Sequence, residues 1–409
     1  MSRLGPLARR EFRLLFLARA TSFFGSSIAP VAIAFAVLDL TGSATDLGIV
    51  LAARMIPQLV FLLIGGVWAD RLPRHLVMVV SDLVTGGAQA VTAALLLTGN
   101  AEIWHLVVLQ AVGATGFAFF FPASTGLVPQ TVEPALLQQA NATLRMALNV
   151  SSIGGAALGG ILVAAFGSGW ALAIDAGTFF ASAAFLFSMR VVPAARTEVP
   201  NFLGELREGW REFASRTWLW VIVLAFGFLN AAHVGAINVL GPVVARAELG
   251  GASAYGAIFA TEALGLLLGA MVALRFKPSR PLFVGCAAMI GLPPVMILLA
   301  IGAPLALIML AALVMGVGIE LFGVYWDTAL QQHVPERALS RVSSYDALGS
   351  FIFIPLGQLA AGPIAEAVGV DRTLYLAAGV VTLAVLAMVA TPDIRRLRST
   401  PGPPRPGTH

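Results

Sequence analysis

Apolar runs of about twenty residues, each broken by charge or by Pro/Gly clusters, recur from one end of this sequence to the other. A helix needs roughly 20 mostly apolar residues to cross the hydrocarbon core of a bilayer. Inside that core every backbone N–H and C=O must find its partner within the protein. Twelve such runs occur, at about 12–39, 46–69, 76–98, 103–127, 138–165, 170–190, 217–245, 252–274, 281–301, 304–330, 341–366 and 372–391. A transmembrane barrel is excluded, because its strands alternate in polarity over about ten residues. Composition agrees: 11% of the 409 residues are charged, against about 25% in a soluble domain. The first run is too long for a secretory signal and flows into the second, so it is expected to remain as a membrane helix. The expected fold is an all-α integral membrane protein with twelve transmembrane helices.

The 25 basic residues are arginines except for Lys277. Their excess suits a nucleic-acid partner until they are mapped onto the loops. Most fall at the N-terminus and in every second connection: Arg3, Arg9, Arg10 and Arg13; Arg71 and Arg74; Arg145; Arg190 to Arg216; Arg275 to Arg280; Arg337 and Arg341; and the tail. Arg246 and Arg372 lie on the other side. Basic loops stay on the cytoplasmic side of a membrane, so both termini are expected in the cytoplasm of a multi-pass protein of the cytoplasmic membrane. The arginines are then topology signals, and no nucleic acid is expected. Cys286 is the single cysteine, so neither a disulfide framework nor a multi-cysteine metal site can form. No phosphate loop, HExxH or GxSxG motif is present. Neither an enzyme, a cofactor nor a metal is expected.

The longest charged insertion, Arg190 to Arg216, falls near the middle and invites a search for duplication. Gly48 and Ala52 in the second run align with Gly256 and Ala260 in the eighth. Thr125, Leu127, Pro134 and Leu137 align with Thr328, Leu330, Pro335 and Leu339. Two six-helix halves follow: residues 1–190 and 217–391, joined by a cytoplasmic central loop at 191–216 and followed by a disordered cytoplasmic tail at 392–409. Repeated halves of this kind are one architecture of secondary transporters, with cargo held between them near mid-membrane.

The connection after the second run reads Gly66-Val67-Trp68-Ala69-Asp70-Arg71-Leu72-Pro73-Arg74-His75. In position and residues it resembles the G-x-L-a-D-R-x-G-R-[KR] signature of the major facilitator superfamily, with Pro73 for a glycine and His75 for a base. The resemblance implies two pseudo-symmetric halves and a cytoplasmic latch made by Gly66, Asp70, Arg71 and Arg74. A carboxylate and a guanidinium pair strongly. In the fifth run, Gly154-Gly155-Ala156-Ala157-Leu158-Gly159-Gly160 resembles the antiporter motif g-x-x-x-G-P-x-x-G-G, with Ala156 in place of proline. Gly155, Gly159 and Gly160 suit close helix packing. The segment Leu106 to Gly113 of the fourth run has no base, unlike many drug–proton antiporters. The whole pattern is most similar to the third drug–proton antiporter subfamily, which includes macrolide and enterobactin exporters.

Charges within the runs are the candidates for coupling, since burying one costs at least a few kcal/mol. Arg54 lies in the second run, expected to meet Asp39 or Asp175. Glu262 in the eighth and Glu320 in the tenth are candidate proton carriers. Asp82, Asp327 and Asp346 lie nearer the cytoplasmic ends and suit gates with Arg145 and Arg341. The family's fold implies a cavity lined by the first, fourth, seventh and tenth helices, hence by Phe23, Phe24, Phe119, Phe120, Asn230, His233, Tyr325 and Trp326. Aromatic walls suit a lipophilic solute.

The expected function is proton-coupled efflux of a small lipophilic compound such as a drug, antibiotic or secondary metabolite, by alternating access. The expected partners are that solute, protons and the lipid bilayer, and the chain is expected to be a monomer. One alternative is a siderophore exporter of the same fold. Another is a membrane sensor that transports nothing, which normally appends a soluble domain not seen here.

Overall fold

The computed structural model describes residues 5–69, 73–133, 136–190 and 210–398. Among them are 12 helices long and apolar enough to cross a membrane. These are α1 (Arg10–Thr41), α2 (Ala44–Ala69), α3 (Arg74–Leu97), α4 (Ile103–Leu127), α5 (Leu137–Phe166) and α6 (Ser168–Phe187) in the first half. The second half contains α7 (Thr217–Leu249), α8 (Ala252–Arg275), α9 (Pro281–Ala300), α10 (Leu305–His333), α11 (Val342–Val368) and α12 (Val370–Ala390). Each lies within a few residues of an apolar run, because length and hydrophobicity alone specify a span. Successive helices run in opposite directions, so Arg10 and Arg396 share one face of the bundle, here called the near face. The loops at 42–43 and 98–102 lie on the far face.

The two halves also share a turn at corresponding places. Gly167 joins α5 to α6 and Gly369 joins α11 to α12, at φ +84° and +97°. Only glycine takes that conformation without steric cost. Irregularities follow from prolines and glycines. Two wider turns interrupt α7 at Gly235–Leu240 and Ala245–Leu249, flanking Pro242. A tighter turn at Met289–Gly291 bends α9 just ahead of Pro293, which cannot donate to the helix ladder.

Each half has its own apolar core. Phe12, Leu15, Met78, Leu127 and Leu186 pack within the first half, and Leu219, Ile222, Met296, Met315 and Val381 within the second. A third cluster crosses between halves, with Ile28 to Leu38 of α1 packed against Ala245, Ala252 and Tyr255. The central segment, expected to be a loop, includes a helical turn at 210–214. There Trp210 stacks on Phe213 and meets Tyr345 of α11 edge-on. The tail, expected to be disordered from Pro392, begins instead with a short helix, Pro392–Arg396, which buries Ile394 completely. One apolar side chain with a pocket to fill outweighs the Pro-rich composition that follows it. Trp218 is also buried, edge-on against Trp326.

The halves meet through two crossings that repeat the same chemistry. At α5–α8, a Cβ on Gly160 would lie 2.7 Å from the Ala252 carbonyl oxygen, and one on Gly256 2.8 Å from that of Ala156. At α2–α11, a Cβ on Gly48 would run into the Gln358 carbonyl, and one on Gly362 into the Thr45 amide. Small residues let helix backbones touch where side chains would hold them apart. Ala252, Gly160, Thr45 and Gly362 all lie toward the far face, as does the third apolar cluster. The halves are therefore sealed on the far side.

Candidate functional site

Polar contacts tie down the sealed far side. Arg246 of α7 forms a 3.2 Å ion pair with Asp39 of α1. Thr45 of α2 donates a 2.6 Å hydrogen bond to Glu366 of α11. Both bridge the two halves. Asp39 is thus a partner of Arg246 and not of Arg54.

Toward the near face the inner surfaces carry charges of opposite sign. Arg145 is exposed on α5, and Glu320 and Asp327 lie on α10 within its electrostatic reach. Asp346 on α11 accepts hydrogen bonds from Trp326 Nε1 (2.8 Å) and Ser350 Oγ (3.1 Å). Glu262, ten residues into α8, is partly exposed and makes no hydrogen bond or ion pair among the described residues. Its own backbone carbonyl faces Gly316 of α10 at close range. Asp82 differs from these: it is buried between α3 and α6 and accepts a hydrogen bond from Ser182.

Of the latch, Gly66 is placed only as backbone within α2, and Asp70 and Arg71 lie outside the described residues, as does the side chain of Arg341. Arg74 opens α3 and donates to the Gly126 carbonyl near the end of α4. A guanidinium there meets the negative end of the helix dipole.

The aromatic candidates divide. Phe23 and Phe24 are partly exposed on α1, with Phe24 lying 3.5 Å from where a Gly154 Cβ would stand. Phe119 of α4 faces Phe61 of α2. Phe120 points the other way, into the core of the first half. Tyr325 and Trp326 are 4% and 6% exposed, and Tyr325 donates to the Phe276 carbonyl. Asn230 donates to the Ser350 carbonyl, and His233 leaves a buried Nδ1 without a partner among the described residues. Gly155 and Gly159 press on Ser27 and Ile28 of α1, whereas Gly160 serves the α5–α8 crossing.

A second polar site lies inside the first half. Ser26, Arg54, Gln58, Thr85, Gln89, Gln110 and Asp175 line one cavity together with Leu109, Phe117 and Phe179. Gln110 donates to Gln89 (3.0 Å), and Gln89 donates to Asp175 Oδ2 (2.8 Å). Asp175 is fully buried and its Oδ1 has no partner among the described residues. Arg54 acts on it as an opposing charge without a direct hydrogen bond. These groups come from α2, α3, α4 and α6, all roughly 10–15 Å below the far ends of their helices at 1.5 Å per residue. Sequence reasoning singled out Arg54 and Asp175 as charges but passed over the two glutamines. An uncharged amide in an apolar run was the available signal, since such groups hydrogen-bond between helices.

The family model described as "Transmembrane secretion effector" matches residues 1–401. Multidrug efflux pump Tap of Mycolicibacterium fortuitum is 27% identical, over 96% of this chain and 97% of that protein. Enterobactin exporter EntS of Escherichia coli O1:K1 / APEC is also 27% identical, over 95% and 94%. Among solved structures, a bacterial homolog of the human lysosomal transporter Spinster, inward-facing and unoccupied, superimposes with TM-score 0.73 at 15% identity. That match covers 97% of this chain and 98% of the other.

Proposed function

The chain belongs to the transmembrane secretion effector family of the major facilitator superfamily, and on that footing we propose that it exports a small lipophilic compound from the cytoplasm, driven by the inward proton gradient. The observation that carries this reading is the asymmetry of the interface. Two half-bundles are sealed by glycine crossings and polar bridges on the far side, while opposed charges on α5 and α10 line the near side. With the near face in the cytoplasm, as the arginine distribution favours, this is the inward-facing state of an alternating-access cycle.

In that cycle cargo enters between the halves from the near side, past Phe23, Phe24 and Phe119. Rocking of the halves breaks the far seal and draws Arg145 toward Glu320 and Asp327. Proton binding at an intramembrane acid and cargo binding bias the same equilibrium, each only through its differential affinity for the two states. Glu262, Glu320 and Asp175 are the acids at the right depth. The latch of Asp70, Arg71 and Arg74 holds the near side shut in the outward-facing state, in which Arg341 joins it.

The test is uptake of the lipophilic dye Hoechst 33342 into inverted membrane vesicles. Energisation by a proton gradient is expected to accelerate dye accumulation, and a protonophore to abolish it. Accumulation indifferent to the gradient would sink proton coupling. An anionic catecholate siderophore is run beside the dye, because exposed Arg145 suits that second cargo class. Uptake of the siderophore alone would reassign the substrate.

A further inference from the structure

The cavity within the first half has a composition that a simple packing role does not explain. Asp175 is buried on every side, yet only one of its oxygens is engaged, by the Gln89 amide. The other oxygen has no partner among the described residues, and beside it Gly25 of α1 leaves so little room that a Cβ there would come within 2.7 Å. Arg54 lines the same cavity and forms no hydrogen bond or ion pair among the described residues. A buried ion pair kept only for stability is held by direct, bidentate hydrogen bonds that offset desolvation. Here the charges are separated, and the carboxylate keeps a free oxygen.

The surroundings leave Arg54 as the charged group that faces Asp175. Against α6, α1 presents Gly25 and Ser26, α3 presents Gln89 and α4 contributes Gln110. Asp82 of α3 lies two helical turns away, held by Ser182. The one charged residue of α5 is Arg145, toward the opposite end.

What makes the arrangement more than a buried pair is the other duty of α2. Less than three turns from Arg54, the same helix carries Thr45 and Gly48, which seal the far side against Glu366, Gly362 and Gln358 of α11. We infer that Asp175 is the proton-binding site of this transporter, and that Arg54 converts its protonation into movement of α2 against α11. An ionised Asp175 attracts Arg54 toward α6 and so draws α2 away from α11. A proton on Oδ1 removes that attraction and lets α2 settle into the far seal. The proton enters as H⁺ on a carboxylate oxygen and leaves the same way, with no other bond changed. The coupling site thus lies wholly within one half, apart from the cargo cavity. Since Arg54 and α6 belong to the same half, their interaction survives rocking while its strength sets the position of α2.

The inference rests on the proton-coupled reading above, and a single experiment separates the two. Cys286 is buried and is replaced by serine. Asn100→Cys and Asp371→Cys then place one spin label on each half at the far face, and distances are measured in full-length protein in nanodiscs from pH 5 to pH 9. Wild type is expected to shift from the short, sealed distance in acid to a longer one in alkali. That shift should be lost in Asp175→Asn, which stays sealed, and retained in Asp82→Asn. Arg54→Gln provides a second arm if Asp175→Asn does not fold, and it too should lose the shift. A wild type that ignores pH overturns both proton coupling and this assignment. A normal shift in Asp175→Asn or Arg54→Gln overturns the assignment alone, and so does its loss in Asp82→Asn.

Discussion

Arg246 on α7 and Asp39 on α1 pair at 3.2 Å across the two halves, and both side chains remain about half exposed. An exposed pair contributes at most about 1 kcal/mol, roughly a fivefold change in an equilibrium. Asp39→Asn is therefore expected to raise the far-side-open population by no more than about fivefold, with little effect on folding. Single-molecule energy transfer between labels on the far loops measures it. A tenfold or larger opening would mean the pair holds the seal almost by itself.

The glycine crossings should matter more than the ion pair. A valine at Gly160 must displace the Ala252 carbonyl and Gly256 backbone of α8. Overpacking of that kind costs about 1–3 kcal/mol, so Gly160→Val should drive the equilibrium roughly five- to 150-fold toward the far-side-open state. Gly256→Val should do the same from the other helix. Unchanged accessibility of a far-side cysteine in both variants would refute the crossing as the seal.

Removing the Gln89 amide strips Asp175 of the hydrogen bond it receives. Leaving a buried acceptor unsatisfied costs about 1–3 kcal/mol, so Gln89→Leu should lower the apparent melting temperature of the purified protein by several degrees. Gln110→Leu should cost less, because Gln110 donates to Gln89 and not to the carboxylate. The reverse ranking would place the centre of the network on α4.

Trp326 stacks on Phe322 and donates to Asp346. Trp326→Phe keeps the stack and loses the hydrogen bond, so thermal stability should fall while dye affinity is unchanged. Loss of dye affinity at full stability would return Trp326 to the cargo cavity, where its position on the tenth run had placed it.

Why the sequence misplaced such side chains is a matter of rotation about a helix axis. Tyr325, Trp326 and Phe120 are on the helices expected to line the cavity, but an apolar run has no polar face to show which side turns inward. In water, amphipathicity marks the buried stripe. In lipid, the outside is as apolar as the core, and that signal disappears. Arg54 shows the same limit: its depth was legible, whereas the choice between Asp39 and Asp175 depended on which helices α2 packs against. Ile394 shows it on a smaller scale, since nothing in a Pro-rich tail announces a pocket for one isoleucine.

By itself the sequence determined the solvent, the number and order of the helices, the two halves and the family, because hydrophobic length, loop charge and the Asp70-Arg71 motif are local features. The crossings of α5 on α8 and α2 on α11, the side of the bundle they seal and the placing of Arg54 and Asp175 on one cavity were decided only in three dimensions. Those are relations between residues far apart in the chain, set by how closely glycine backbones approach and which faces they turn toward each other.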